Sequence, residues 1–197
     1  MDFRLHTFRE EVLSYFDHLS EQEWSEFQSR LIPISFKKGE DVFPVSEVCR
    51  KVLFISKGIL ASEFQANEKN VITRFFKAKD LCSNIVSLFN KRLANDRVFA
   101  ITNVEGVLIP DEVLMKYYMH SNTVGIYFRK RLLETLLADK HFMSIKTISG
   151  VQPKLTFLQE NYPEEILEAP WKYIANFMGV TPAWLSRTLI RRGIVKE

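Results

Sequence analysis

The segment from Trp171 to Glu197 constrains this chain most, because its spacing and turn chemistry call for two short helices crossing closely through a tight turn. In PWKYIANFMGVTPAWLSRTLIRRG the first helix is expected to direct Ile174, Ala175 and Met178 inward, Ala175 being small where the second helix crosses. Gly179 supplies the turn. Thr181 then offers an N-cap hydroxyl and Pro182 a first-turn residue that needs no amide donor, so a new helix starts at once. Leu185 and Leu189 form the expected buried side of that helix.

The outward side is basic. From position 171 onward Lys172, Arg187, Arg191, Arg192 and Lys196 stand against Glu197 alone, so this segment holds a net +4 of a chain total of +3, and residues 1–170 sum to −1. Such a concentration suits a polyanion, since phosphate binding releases counterions in proportion to the contacts made. The expected DNA-contacting set is Lys172, Thr181, Ala183, Trp184, Ser186, Arg187, Arg191 and Arg192. A two-helix cap with a solvated basic face is the other reading.

At 197 residues, 46% hydrophobic and 26% charged, the chain suits one or two compact domains. Its start, MDFRLHTFREEV, is charged throughout, and no apolar run approaches the ~18 residues of a membrane-spanning helix. The expected location is therefore the cytoplasm. Cys49 and Cys82 have neither CxxC nor metal-ligand spacing and are expected to be buried, reduced thiols.

Organisation changes along the chain in a definite order. Residues 1–30 carry helical spacing at Phe8, Val12 and Phe16 and again at Leu19, Trp24 and Phe27, with Ser20 and Glu23 in capping-box relation. From 31 to 109 short strands are expected at 32–36, 41–44, 52–56, 59–64, 71–76, 98–102 and 107–109, separated by Lys-Gly, Asn-rich and Glu-Gly turns, with a short helix between Leu81 and Phe89. That spacing suggests a jelly-roll-like barrel.

After Pro110 and Asp111 a short helix should reach about Met119, and Ser121 or Asn122 should cap a long helix running to roughly Lys146. On it Val124, Phe128, Leu132 and Leu136 recur every four residues. Two readings are open: the stripe packs on the barrel, or it pairs with the same helix of a second copy, and the second is the expected one. Arg129, Lys130 and Arg131 are expected to form a solvated face.

This order, with FKKGEDVF (36–43), VLFISKGIL (52–60) and PWKYIANFMGVTPAWLSR (170–187), resembles the Crp/Fnr superfamily of bacterial transcription regulators over nearly the whole chain. The terminal block looks like the form of a Bacteroidetes-type branch. The resemblance implies an α+β fold: a β-roll sensor domain with flanking helices (1–121), a dimerisation helix (122–147) and a helix-turn-helix domain (148–197). It also implies a homodimer, double-stranded DNA and RNA polymerase as partners, and regulation by an effector in the β-roll.

Relatives that bind cyclic nucleotides have a Gly-Glu pair before a short helix and an Arg-Ser/Thr pair after it. Here those places are most nearly Ser83-Asn84, followed by Ile85, and Arg97-Val98. Asn84 can still bond a ribose and Arg97 a phosphate, but the glycine and the hydroxyl are gone. Cyclic AMP and cyclic GMP are therefore not expected as effectors; a surface arginine paired with Asp96 or Asp80 is the other reading of Arg97. Phe75, Phe76, Phe89 and Phe99 either crowd the pocket or form plain core.

Two cysteines cannot hold an iron–sulfur cluster, which needs about four thiolates. His6, His18, His120 and His141 all lie outside residues 31–109, so a cupin-type metal centre lacks its ligands, and haem ligation through His120 or His141 is a minor reading. With no GxSxG, Walker loop or Cys-His dyad, no catalytic residue, metal or cofactor is expected.

Overall fold

The computed structural model describes residues 2–16, 19–66, 69–119, 123–147, 149–161, 168–191 and 193. The chain opens with α1 (Phe3–Leu13) and α2 (Glu21–Gln28) and continues through β1 (Ile32–Phe36), β2 (Asp41–Phe43), β3 (Lys51–Lys57), β4 (Leu60–Ala66), β5 (Lys69–Phe76) and β6 (Leu81–Cys82). Then come α3 (Ile85–Asn90), β7 (Asp96–Ala100), β8 (Val104–Pro110), α4 (Asp111–Tyr118), α5 (Thr123–Thr147) and α6 (Val151–Asn161). The last two helices are α7 (Trp171–Met178) and α8 (Pro182–Arg191). The fold is α+β, as expected.

Two four-stranded sheets, ordered β1-β8-β3-β6 and β2-β7-β4-β5, make the β-roll, and every pairing within them is antiparallel. Gly58 turns β3 into β4 at φ 95, where a Cβ would also strike the Asn103 carbonyl, so the Lys-Gly turn is held by both backbone and space. The expected Glu-Gly turn is not one. Gly106 lies inside β8 opposite Ile55, and a Cβ there would collide with the Phe54 carbonyl, so this glycine lets two strands approach. The reversal between β7 and β8 falls at Ile101–Asn103 instead.

One core cluster joins β-roll residues to α1, α2, α4 and the start of α5: Phe8 stacks on Phe54, and Phe27 meets Phe128 and Tyr117 edge-on. Val124 and Phe128 are 0% and 2% exposed within this cluster. That corrects the dimer seam expected of them, because side chains fully enclosed by their own chain cannot meet a second copy. Val124 and Phe128 pack on their own domain and Leu132 lines a pocket beside it, whereas Leu136 is exposed.

A second cluster lies on the outer face of sheet β2-β7-β4-β5, where Ala61, Ile72, Phe75 and Phe99 pack against Phe142 of α5 and against α6, α7 and α8. Phe75 meets Phe177, and Phe99 meets Tyr173. The terminal helix pair therefore shares its core with the sheet. Asn176 reinforces this at the edge strand: its Oδ1 accepts from the Ile72 amide at 2.7 Å and its Nδ2 donates to the Asn70 carbonyl at 2.8 Å, as a neighbouring strand would.

Candidate functional sites: a basic helix and a β-roll cavity

The helix pair forms for the reasons its residues give. Gly179 closes α7 in the left-handed conformation, φ 74, and the Thr181 hydroxyl accepts the Trp184 amide at 3.2 Å to start α8. Ile174, Ala175, Met178, Leu185 and Leu189 are buried. Phe177, which the inward-facing pattern did not include, is buried too, because α7 packs against both α8 and the sheet.

The opposite side is open: Lys172, Thr181, Ala183, Trp184, Arg187 and Arg191 are exposed, and Ser186 is half-buried. Arg187 donates from Nε to the Ala183 carbonyl one turn back, at 3.2 Å, and Lys172 lies 4.7 Å from the Tyr173 ring centre. Arg192 lies outside the described residues, as do Ser121, Asn122, His18 and His120.

Between sheet β2-β7-β4-β5, α3 and α5 lies a cavity of about 360 Å³, lined in part by Ser62, Arg74, Ser83, Asn84, Ile85 and Asp96, with Asp139 from α5. Ser83, Asn84 and Ile85 thus stand where an effector pocket was expected. Arg97 and Val98 do not. Strand alternation explains the correction: Asp96 faces the cavity, so Arg97 faces outward, where it pairs with Glu63 at 2.9 Å and Asp41 at 3.4 Å and lies over the Phe99 ring. Val98 is buried in the first core cluster. The alternative reading of Arg97 as a paired surface arginine is nearer, with different partners.

The cavity's polar groups are tightly organised. Asn84 caps α3 by accepting the Ser87 amide and donates to the Asp96 carboxylate at 2.6 Å, while the Ser62 hydroxyl donates to the other Asp96 oxygen at 2.5 Å. Arg74, which sequence reasoning did not single out, is 8% exposed, pairs through Nη1 with Asp139 of α5, and lies 4.4 Å from the Phe76 ring centre. Burial raises the Asp139 carboxyl above its usual range, against the lowering effect of Arg74. A strand-interior arginine on an inward position was the available signal, since a buried cation demands a partner.

The phenylalanines divide. Phe75 and Phe99 face α7, Phe76 lines the cavity, and Phe89 lines an adjoining apolar pocket with Leu88, Leu114 and Leu132. Cys49 and Cys82 are free and buried, and burial pushes the Cys82 thiol well up. Among the described residues no group of three His, Cys, Asp or Glu could hold a metal ion, and no helix is long and apolar enough to cross a membrane.

The basic triplet on α5 is the solvated face expected of it only at Lys130, which is exposed; Arg129 and Arg131 are half-buried. Arg131 bonds Tyr15, Glu134 and the Lys79 carbonyl, Arg129 donates to the Tyr118 carbonyl, and Lys130 lies over Phe16. The face of α5 turned to solvent is apolar instead: Ile126, Leu133, Leu136, Leu137 and Met143 are all exposed, Leu133 and Leu137 at 59% each.

This pairing of an eight-stranded roll with a long helix and a terminal helix-turn-helix is the architecture of the Crp/Fnr regulators, and solved structures agree. FixK2 from Bradyrhizobium japonicum superposes with a TM-score of 0.66 at 17% identity, over 83% of this chain and 86% of that one. A protein from Eubacterium rectale described as a crp/fnr-family transcriptional regulator gives 0.61 at 19% identity, over 92% and 88%. A CooA mutant from Carboxydothermus hydrogenoformans gives 0.65 at 11% identity, over 93% and 84%. The chain has the Crp/Fnr-type fold. No protein-family model matches the sequence, and no curated protein is significantly similar to it.

Proposed function

We propose that this chain is a dimeric, sequence-specific DNA-binding transcription regulator whose β-roll cavity takes an effector. The observation that carries the reading is α8, which is anchored by Leu185 and Leu189 and leaves Thr181, Ala183, Trp184, Arg187 and Arg191 exposed on its other side. A helix with one anchored side and one exposed basic side can enter a major groove without unfolding anything. Lys172 and Arg191 suit phosphates; Arg187, one turn in, suits a base edge once it exchanges the Ala183 carbonyl for a guanine. Arg192 belongs to the same proposed set, and RNA polymerase is the proposed partner once DNA is bound.

In this reading the effector acts between sheet and helix. Arg74 on β5 holds Asp139 of α5 across the cavity, so a ligand there alters how the long helix seats and hence how two recognition helices are spaced. Cyclic AMP and cyclic GMP do not suit the site: Asp96 and Asp139 outnumber Arg74 in its lining, and neither nucleotide carries a cation to offset its phosphate.

The test is fluorescence anisotropy on a duplex selected from a random library. Arg187→Ala should cost about 1–3 kcal/mol on the selected site and little on random duplex, whereas Arg191→Ala should weaken both alike and flatten the salt dependence. No duplex binding by the wild-type chain at low salt would leave a β-roll interaction module without DNA binding.

A further inference from the structure

The cavity between β5, β7 and α5 has a charge pattern that selects among ligands, and the following rests on the reading of that cavity as an effector site. Arg74 is the buried cation. Of the five N–H donors of its guanidinium, Nη1 goes to Asp139, and Nε meets no hydrogen-bond partner among the described residues. A buried donor left unmet is costly, so the site calls for an acceptor beside Arg74. The formal charge, however, runs the other way. Asp96 and Asp139 against Arg74 give the lining a net −1, and a bare anion would raise that to −2.

One ligand type answers both demands. We propose that this cavity binds an α-amino acid with an apolar side chain, its carboxylate on the Arg74 guanidinium and its ammonium on Asp96 and Asp139. Asp96 has room for it: each carboxylate oxygen takes about two hydrogen bonds, and among the described residues only Asn84 and Ser62 donate side-chain bonds to it. Arg74 and Asp96 stand on the inner face of one sheet on either side of β4: Ser62 pairs with Arg74 on one side and with Val98 on the other, Asp96 lies two residues from Val98 on the same face, and the Ser62 hydroxyl donates to its carboxylate. The two charged groups of a single α-carbon therefore meet opposite charges across one strand.

The remaining lining fits the side chain. Phe76, Leu81, Ile85, Val86, Phe142 and Met143 offer apolar contact, and the volume of about 360 Å³ is ample for an amino acid. The adjoining apolar pocket shares Leu81, Ser83, Ile85 and Thr135 with this cavity, so a longer side chain has somewhere to extend.

Calorimetric titration of the full chain with L-phenylalanine and L-leucine, beside 3-phenylpropanoate and 2-phenylethylamine, separates the contributions. The expected result is saturable binding of an amino acid, weakened roughly 10-fold or more when either the ammonium or the carboxylate is missing. Asp96→Asn should bring L-phenylalanine down to the level of 3-phenylpropanoate; if that variant does not fold, the comparison of the four ligands on the wild-type chain decides alone. Equal binding of 3-phenylpropanoate or of 2-phenylethylamine, or no heat from any of the four at millimolar concentration, overturns the proposal. Anisotropy with duplex DNA on the same preparation keeps the two readings apart: DNA binding without amino-acid binding removes this inference only, and the converse removes the regulator reading.

Discussion

Glu23 reaches across the molecule to close a helix that begins 100 residues later. Ser20 accepts the Glu23 amide at a long 3.5 Å, while the Glu23 carboxylate, in place of returning to Ser20, accepts the Val124 amide at 2.9 Å. It thus serves as a tertiary N-cap for α5, and its negative charge sits at the positive end of a 25-residue helix. Glu23→Ala should lower stability by about 0.5–2 kcal/mol and Glu23→Gln by less, because the amide oxygen still accepts; urea denaturation of the three proteins checks the order. Equal midpoints would show that the cap contributes nothing.

At the scale of the element, α5 is divided lengthwise. One side carries Val124, Tyr127, Phe128 and Phe142 into the chain's own cores, and the other exposes Ile126, Leu133, Leu136, Leu137 and Met143. Ile126, Leu133 and Leu137 follow seven- and four-residue steps on that exposed side, which is the spacing of a helix that pairs with another. If two copies pair here, Leu133→Glu with Leu137→Glu should give a folded monomer, each lost apolar burial costing roughly 1.5–3 kcal/mol. Phe128→Glu should instead unfold the chain. Light scattering with circular dichroism distinguishes the two outcomes, and a wild-type monomer at micromolar concentration removes the seam altogether.

Across the whole molecule the terminal helix pair is held to the roll by an apolar cluster and by two hydrogen bonds from Asn176. β5 has Arg74 on its cavity side and Phe75 on the side of α7, so consecutive residues of one strand touch the cavity and the terminal helix pair. Asn176→Ala should leave the fold intact and speed hydrogen exchange at the Ile72 amide roughly 5- to 10-fold, the equivalent of about 1 kcal/mol. Unchanged exchange would mean that the apolar cluster alone seats the helix pair.

Local chemistry made much of this legible from the sequence. Gly179, Thr181 and Pro182 determine where α7 ends and α8 begins, because left-handed backbone, a capping hydroxyl and a missing amide act within a few residues. Strand alternation with its punctuating turns determined the roll, and periodic apolar residues determined α5. Which side of an element faces which neighbour was decided only by the tertiary structure. Val124 and Phe128 form an apolar stripe whether they meet a second copy or their own core, and only the packed α1, α2 and β-roll determine which. Arg97 stood beside the wrong face because a single residue of register exchanges it with Asp96, and register depends on partner strands far along the chain. Arg74 gave no motif at all; its meaning comes from Asp139, 65 residues away, and from the low-dielectric enclosure that makes an unmet donor costly.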